Sequence, residues 1–262
     1  MPIKGKFAGA RESLARKTLA LCHRAFPKGY RLHNGSILPP HDVRMGGPEY
    51  EDDDFFLDSA IAESKRVLTK LACKPHDFLI DIGCGHGRLP IGLIRESCDI
   101  SYLGIDVKRD SIDWCRQYIQ KRKPAYRFQH VDVVNARYNP SGDALSVDYR
   151  LPVETGAVNI VYMWGVFTNM EPEHLPVYAR EFYRVLRPGG NAFVTAHVED
   201  GVPHASVNPE NYTPYSCQGP LHAVRYERKY FIDTFWQAGL TMTELNYHAA
   251  GNCQSDIYFA KQ

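Results

Sequence analysis

The stretch of this sequence best equipped for chemistry is Asp81-Ile82-Gly83-Cys84-Gly85-His86-Gly87-Arg88. Three glycines alternate with other residues, an acid stands two places before them, and a cation follows. Glycine takes positive φ without a steric cost and lets a ligand lie against bare backbone. The helix that the following apolar spacing predicts (Leu89, Leu93, Ile94) would open with free N–H groups and a partial positive charge, which suits a phosphate or a carboxylate. The spacing separates two ligand classes. A dinucleotide fingerprint reads G-x-G-x-x-G, and here Arg88 stands where its third glycine belongs. Asp81 is a second difference, because a carboxylate so near would repel a pyrophosphate but accept well from an ammonium group. Cys84 fits the bend as a small residue.

Other chemical groups fall at the ends of apolar runs. Asp106, followed by Val107, closes the run from Ile100 and lies where a carboxylate can accept both hydroxyls of a ribose. That feature is shared with dinucleotide enzymes. Asp132, followed by Val133, closes an alternating run from Tyr126. His197 closes a run from Asn191, titrates near neutral pH, and is the candidate general base, with Glu199 and His222 as rivals. No set of carboxylates or imidazoles converges by spacing as a divalent metal requires, so no metal is expected.

Together these residues resemble the class I S-adenosylmethionine-dependent methyltransferases. The likeness runs from about Asp77 to the C-terminus. Asp81-x-Gly83-x-Gly85-x-Gly87 looks like the first motif of that family, whose glycines lie beside the methionine part of the cofactor. Gly-Cys-Gly-x-Gly-Arg at 83–88 and Val-Phe-Thr-x-Met at 166–170 are variants seen in similar bacterial enzymes, several of which act on sugars or lipid-linked glycans. The resemblance implies S-adenosylmethionine as cofactor. It sets Asp132 on the adenine amino group, with the Val133 backbone at a ring nitrogen. It also brings Trp164 or Val166 beside the adenine or methionine pocket, though Trp164 and Phe167 read equally as core aromatics. With the bend at Asp81, Gly83, Cys84, Gly85, Gly87 and Arg88, and with Asp106 and Val107, these are the expected cofactor contacts.

The elements that must position those groups alternate strand and helix, as in a doubly wound α/β domain. Strand-type runs lie at 78–82, 100–105, 126–131, 157–163 and 191–197. Helical spacing lies at 89–94, at 111–122 with Ser111 as N-cap, and at 173–186. Arg187-Pro188-Gly189-Gly190 is a strong break. A helix over 230–238 and two closing strands, 240–247 and 256–261, complete the series. The family pattern implies a Rossmann-like seven-stranded mixed sheet, order 3-2-1-4-5-7-6 with the last strand antiparallel and helices on both faces. Residues 76–262 would form that domain. Val198 to Arg225 has little periodicity and reads as a lid or substrate loop. Residues 1–75 read as a helical extension or cap, with an amphipathic helix over 10–25, a Gly/Pro-rich loop over 30–54 and a helix over 55–72. The resemblance implies that such a segment covers the cofactor and shapes the substrate pocket.

Composition narrows the partners. The 262 residues carry 31 basic and 30 acidic side chains, so no bulk attraction to nucleic acid is expected. No apolar run approaches the roughly 20 residues of a membrane span, and no secretory signal is visible at the N-terminus. Seven scattered cysteines without a C-x-x-C pair argue for reduced thiols and a cytoplasmic setting. The expectation is a methyltransferase acting on a small-molecule acceptor, most readily at a hydroxyl oxygen of a sugar or natural product. A small amine is the nearest alternative. A nicotinamide-dependent oxidoreductase and a non-catalytic cofactor-binding module are alternatives of other classes. The oligomeric state is open.

Overall fold

A computed structural model describes residues 29–212, 218–249 and 253–262. The expected amphipathic helix over 10–25 lies outside them, as do Cys22 and Cys217. Five parallel strands form the centre of the sheet: β3 (Phe78–Ile82), β4 (Ser101–Asp106), β5 (Tyr126–His130), β6 (Val158–Met163) and β7 (Leu186–Glu199). β3, β4 and β6 are buried on nearly their whole length, as the inner strands of a parallel sheet are, whereas β5 at the edge alternates, with Arg127 and Gln129 exposed. The order continues through β11 (Ser255–Lys261), antiparallel to β7, to β10 (Leu240–Asn246) at the edge. Read across, β5-β4-β3-β6-β7-β11-β10 is the expected 3-2-1-4-5-7-6 arrangement.

Three departures from the sequence expectations have local causes. The Pro-Gly-Gly break does not separate helix from strand. Val158 pairs with Leu186 and Ile160 with Asn191, so residues 187–190 bulge out of a continuous β7. The excursion after β7 contains β8 (Ala205–Val207) and β9 (Val224–Glu227). β9 lies parallel to the end of β7 with His197 opposite Arg225. Upstream, the stretch read as loop holds a hairpin of β1 (Arg31–His33) and β2 (Ser36–Leu38). Asn34 and Gly35 turn it, both at positive φ, the combination a tight hairpin turn favours.

Helices cover both faces. On one side α1 (Asp53–Thr69), α2 (Arg88–Arg95) and α3 (Arg109–Cys115, continued by a π turn to Gln120) pack on the sheet. The Asp52 side chain caps α1 by accepting from Phe55 N–H at 2.8 Å, as a helix start requires. α1 and α2 approach so closely at Gly92 that a Cβ there would lie 1.9 Å from the Ala60 carbonyl oxygen. Ser111 is not the cap of α3. The helix begins two residues earlier, and Ser111 is buried with its Oγ 3.3 Å from His86 Nδ1. On the other side α4 (Leu175–Val185) and α5 (Arg228–Gln237) bury Phe182, Phe231 and Phe235 against Phe167 and Phe259.

Candidate active site

A cavity of about 700 Å³ opens at the carboxyl ends of β3, β4, β6 and β7, where doubly wound sheets bind ligands. Its size lies within the range of small-molecule sites. The glycine bend forms one wall. Gly83 and Cys84 N–H donate to the Ile105 carbonyl at 2.8 and 3.0 Å, which folds the chain back over the end of β4. Gly83, Gly85 and Gly87 all adopt positive φ. A Cβ on Gly83 would meet Val166 Cγ2 at 2.3 Å, so the bend and the 166–170 segment fit only when that position is bare.

Charged groups line this wall in fixed poses. Asp106 is buried; its carboxylate accepts from Gly85 N–H at 2.8 Å and Lys108 N–H at 2.7 Å. Those bonds hold both oxygens at the cavity and leave lone pairs for further donors. Burial nonetheless pushes its pKa up. Asp81 accepts from Tyr102 Oη at 2.5 Å, and burial, partly offset by that bond, pushes its pKa up to about 7. The Arg88 guanidinium lies over the Trp164 ring at 4.1 Å and near Tyr50 at 5.5 Å. Burial opposes its charge, but Tyr162, Glu63, Tyr50 and Asp81 outweigh that and raise its pKa. No carboxylate within ion-pair distance of Arg88 is found among the described residues. His86 is driven down to about 4, chiefly by burial. Burial also pushes the Cys84 thiol well up, so it is no thiolate nucleophile at neutral pH.

Of the expected contacts, Asp81, Gly83, Cys84, Gly85, Arg88, Asp106, Val107, Val133 and Trp164 line the cavity, as does His197. Two do not. Gly87 faces inward, where a Cβ would meet Ile119 and Cys115. Asp132 is exposed and stands outside the cavity wall; its carboxylate accepts from Asn139 Nδ2 at 2.9 Å. The chain after it folds back on itself, with Asp143 N–H donating to the Asp132 carbonyl, and this turn leads the side chain away.

The opposite wall carries His197. It is buried, and its Nδ1 lies 3.3 Å from the Cys253 carbonyl. A carbonyl only accepts, so Nδ1 carries the proton and Nε2 keeps a lone pair. Burial lowers the His197 pKa, which favours this neutral form. The rival Glu199 is no base here. Tyr212 Oη, Tyr247 Oη and His248 Nε2 contact its carboxylate at 3.0, 2.5 and 3.0 Å. Burial raises its pKa, but these bonds outweigh it, and the net shift is downward. His222 lines the cavity, held there because Asn169 Nδ2 donates to the Leu221 and His222 carbonyls at 2.7 and 3.2 Å. Sequence reasoning passed over Tyr50, Tyr162 and Gln254, of which Tyr162 and Gln254 line the cavity with the segment from Asp42 to Pro48. Tyr162 donates to Glu63 at 2.7 Å, and Arg66 joins Glu63 to Asp256. Among the described residues no group of His, Cys, Asp and Glu is arranged to hold a metal ion, and no helix is long and apolar enough to cross a membrane.

A mixed sheet in this order, with a glycine bend and a carboxylate at successive strand ends, is the Rossmann-like architecture. Residues 79–190 match the family described as a methyltransferase domain. The chain is 25% identical over 166 residues to a probable fatty acid methyltransferase of Pseudomonas putida, covering 62% of this chain and 38% of that protein. It is 27% identical over 154 residues to the U6 snRNA methylphosphate capping enzyme Amus of Drosophila melanogaster, covering 52% and 51%. It therefore spans about half or less of these relatives. Among solved structures, geranyl diphosphate C-methyltransferase of Streptomyces coelicolor, bound to S-adenosyl-L-homocysteine, shares the fold. The TM-score is 0.55 at 13% identity, covering 84% of this chain and 82% of that one. The methyltransferase-domain match and the shared fold support a class I S-adenosylmethionine-dependent methyltransferase, with S-adenosylmethionine as the cofactor. The bare bend at Gly83 and the backbone-anchored Asp106 suit the amino-acid and ribose parts of that molecule.

Proposed function

We propose that this protein transfers the methyl group of S-adenosylmethionine to a hydroxyl oxygen of a small molecule, with a sugar or natural product as the favoured class. The cofactor supplies a methyl group already activated by its sulfonium charge. The chain's own residues then have to hold, orient, exclude water and move one proton. In this reading Asp81 accepts from the ammonium group, Arg88 takes the carboxylate, Asp106 accepts from the ribose hydroxyls, and Val107, Val133 and Trp164 enclose the base and methionine. Asp132 supports the loop from outside. Residues 76–262 form the catalytic domain, residues 1–75 act as its cap, and residues 198–225 act as the lid.

The observation that carries the hydroxyl assignment is the neutral His197, fixed at Nδ1 and facing the cavity. As the oxygen bonds to the methyl carbon and the carbon–sulfur bond breaks, the hydroxyl proton passes to Nε2. A net charge of +1 supports a small acceptor over RNA. The five described free cysteines are in keeping with a reducing, cytoplasmic setting. The test offers tritiated cofactor with matched alcohols, amines and a short RNA across pH. Methyl transfer to the alcohols is expected; transfer to amines or RNA alone overturns the assignment.

A further inference from the structure

His222 lines the cavity from the excursion between β7 and β9 and is half-buried. The chain around it is pinned from several sides. Besides the two bonds from Asn169, Arg137 Nη1 donates to the Gln218 carbonyl at 3.1 Å. Asn208 N–H donates to the Ala223 carbonyl at 2.7 Å, and Ala223 N–H returns a bond to Asn208 Oδ1 at 3.2 Å. His222 is therefore a fixed part of the wall.

Its tautomer is fixed as well. Nδ1 lies 3.1 Å from the Gly219 carbonyl. A carbonyl only accepts, so Nδ1 carries the proton, and the neutral ring keeps its lone pair on Nε2. His197 is set the same way, on the Cys253 carbonyl. Two imidazole acceptors thus line one cavity. One lone pair takes the proton of the reacting hydroxyl, and the second calls for a donor of its own. A carboxylate or phosphate offers none, and an alkyl group leaves the lone pair unmatched. An ammonium would donate, but the described acids that line the cavity are Asp42, Asp81 and Asp106. Asp81 and Asp106 belong to the glycine-bend wall, and the charge of Asp42 is felt there, at His86. A cation at His222 would lack a counter-charge, whereas a hydroxyl donates without one.

We infer that His222 is a specificity-determining residue that accepts from a second hydroxyl of the acceptor, while His197 takes the proton of the first, and so selects polyhydroxylated molecules over simple alcohols. This rests on the hydroxyl reading of the reaction. The spacing suits an acceptor of monosaccharide size. Arg225 lies opposite His197 in the β7–β9 pairing, and the three residues from His222 to Arg225 span at most about 11 Å.

The test uses the full chain with tritiated S-adenosylmethionine and matched pairs of acceptors: methyl glycosides with their monodeoxy counterparts, and catechol with phenol. Wild type should favour the fuller member of a pair at least about tenfold in kcat/KM, because a site built to bond a hydroxyl rejects the analogue lacking it. His222→Phe should lower kcat/KM at least about tenfold more on the fuller member than on its counterpart, which erases the preference. His222→Gln, whose amide oxygen can accept, should restore most of it. Affinity for S-adenosylhomocysteine within about twofold of wild type shows that a variant is folded, and His222→Ala replaces the phenylalanine variant if that one fails this check. Hydroxyl transfer with no preference within any pair, or an equal loss on both members, overturns this inference alone. Turnover of amines only, indifferent to His197→Ala, overturns the underlying reading and this one with it. If nothing turns over, binding of the same pairs to the S-adenosylhomocysteine-loaded proteins by calorimetry decides. A preference that His222→Phe removes supports the inference, and equal or absent binding overturns it.

Discussion

The two ends of the cavity are built differently. The end proposed to hold the cofactor comes from short contiguous pieces at the middle of the sheet, and backbone N–H donors hold it: Gly83 and Cys84 to the Ile105 carbonyl, Gly85 and Lys108 to the Asp106 carboxylate. The end proposed to hold the acceptor gathers residues from far apart, among them Tyr162, His197, His222 and Gln254. Side chains hold it: Glu199 gathers Tyr212, Tyr247 and His248, and Asn169 holds the return of the excursion. A backbone-built end tolerates few changes at its core and suits one invariant molecule. A side-chain-built end can be refitted to a new acceptor without disturbing the sheet.

The comparison breaks most severely at Gly83. A valine there would strain a backbone at φ +78° and drive its Cβ into Val166. Gly83→Val should weaken S-adenosylmethionine binding more than about 100-fold by calorimetry and lower the melting temperature, since overpacking at one rigid contact costs about 1–3 kcal/mol before the strain is counted. The opposite end should separate from it. His197→Ala should cut kcat about 10²–10⁴-fold while S-adenosylhomocysteine affinity stays within about twofold. Its pH profile has a definite sign. Burial lowers the His197 pKa from 6.5, so the base stays unprotonated as pH falls from 8 to 6.5. At saturating cofactor the wild-type kcat should hold over that range and drop only at lower pH. A drop in kcat centred at or above 6.5 with the cofactor saturating would remove His197 as the base.

Legibility in the sequence follows the same division. The bend, Asp106 and the sheet order could be read because each depends on neighbours in the chain. Asp132 was read one step too far. Position marks an acid at a strand end, but the fold-back that hands it to Asn139 is set by a turn ten residues long. Gln254 and Tyr162 carry no spacing signal, since their partners Thr195 and Glu63 lie 59 and 99 residues away. β9 hides in the excursion because four residues give only two alternations. The Asn34-Gly35 hairpin did carry a signal, the strongest short turn pair, but the prolines and glycines after it masked the short strands on either side.

Asp81 offers a finer test of the cofactor end. Its pKa is raised to about 7 by burial against the bond from Tyr102. In the proposed reading the ammonium group of the cofactor needs the ionised form of Asp81. Below about 7 a proton must leave before the ligand can bind, and above it none must. Affinity for S-adenosylmethionine should therefore rise about tenfold between pH 6 and pH 8 and level off above, by one pK unit's worth of free energy. Asp81→Asn should abolish the slope. A slope that persists in that variant would assign the titration to another group.

The smallest expected effect lies in the clamp around Glu199. Three donors from two segments meet one carboxylate whose side chain is 22% exposed, so each bond is worth less than a fully buried charged one. Glu199→Gln keeps the shape and one acceptor oxygen but loses the charge, which should free the clamp by about 1–2 kcal/mol. Hydrogen exchange should then quicken about tenfold, and in the two segments together, 200–212 and 246–249, because one carboxylate serves both. Methyl transfer should fall only about two- to fivefold and cofactor affinity should not move, since no backbone bond of the glycine bend is touched. Faster exchange in one segment alone would show that Tyr212 and the Tyr247–His248 pair are held independently, and that Glu199 does not join them.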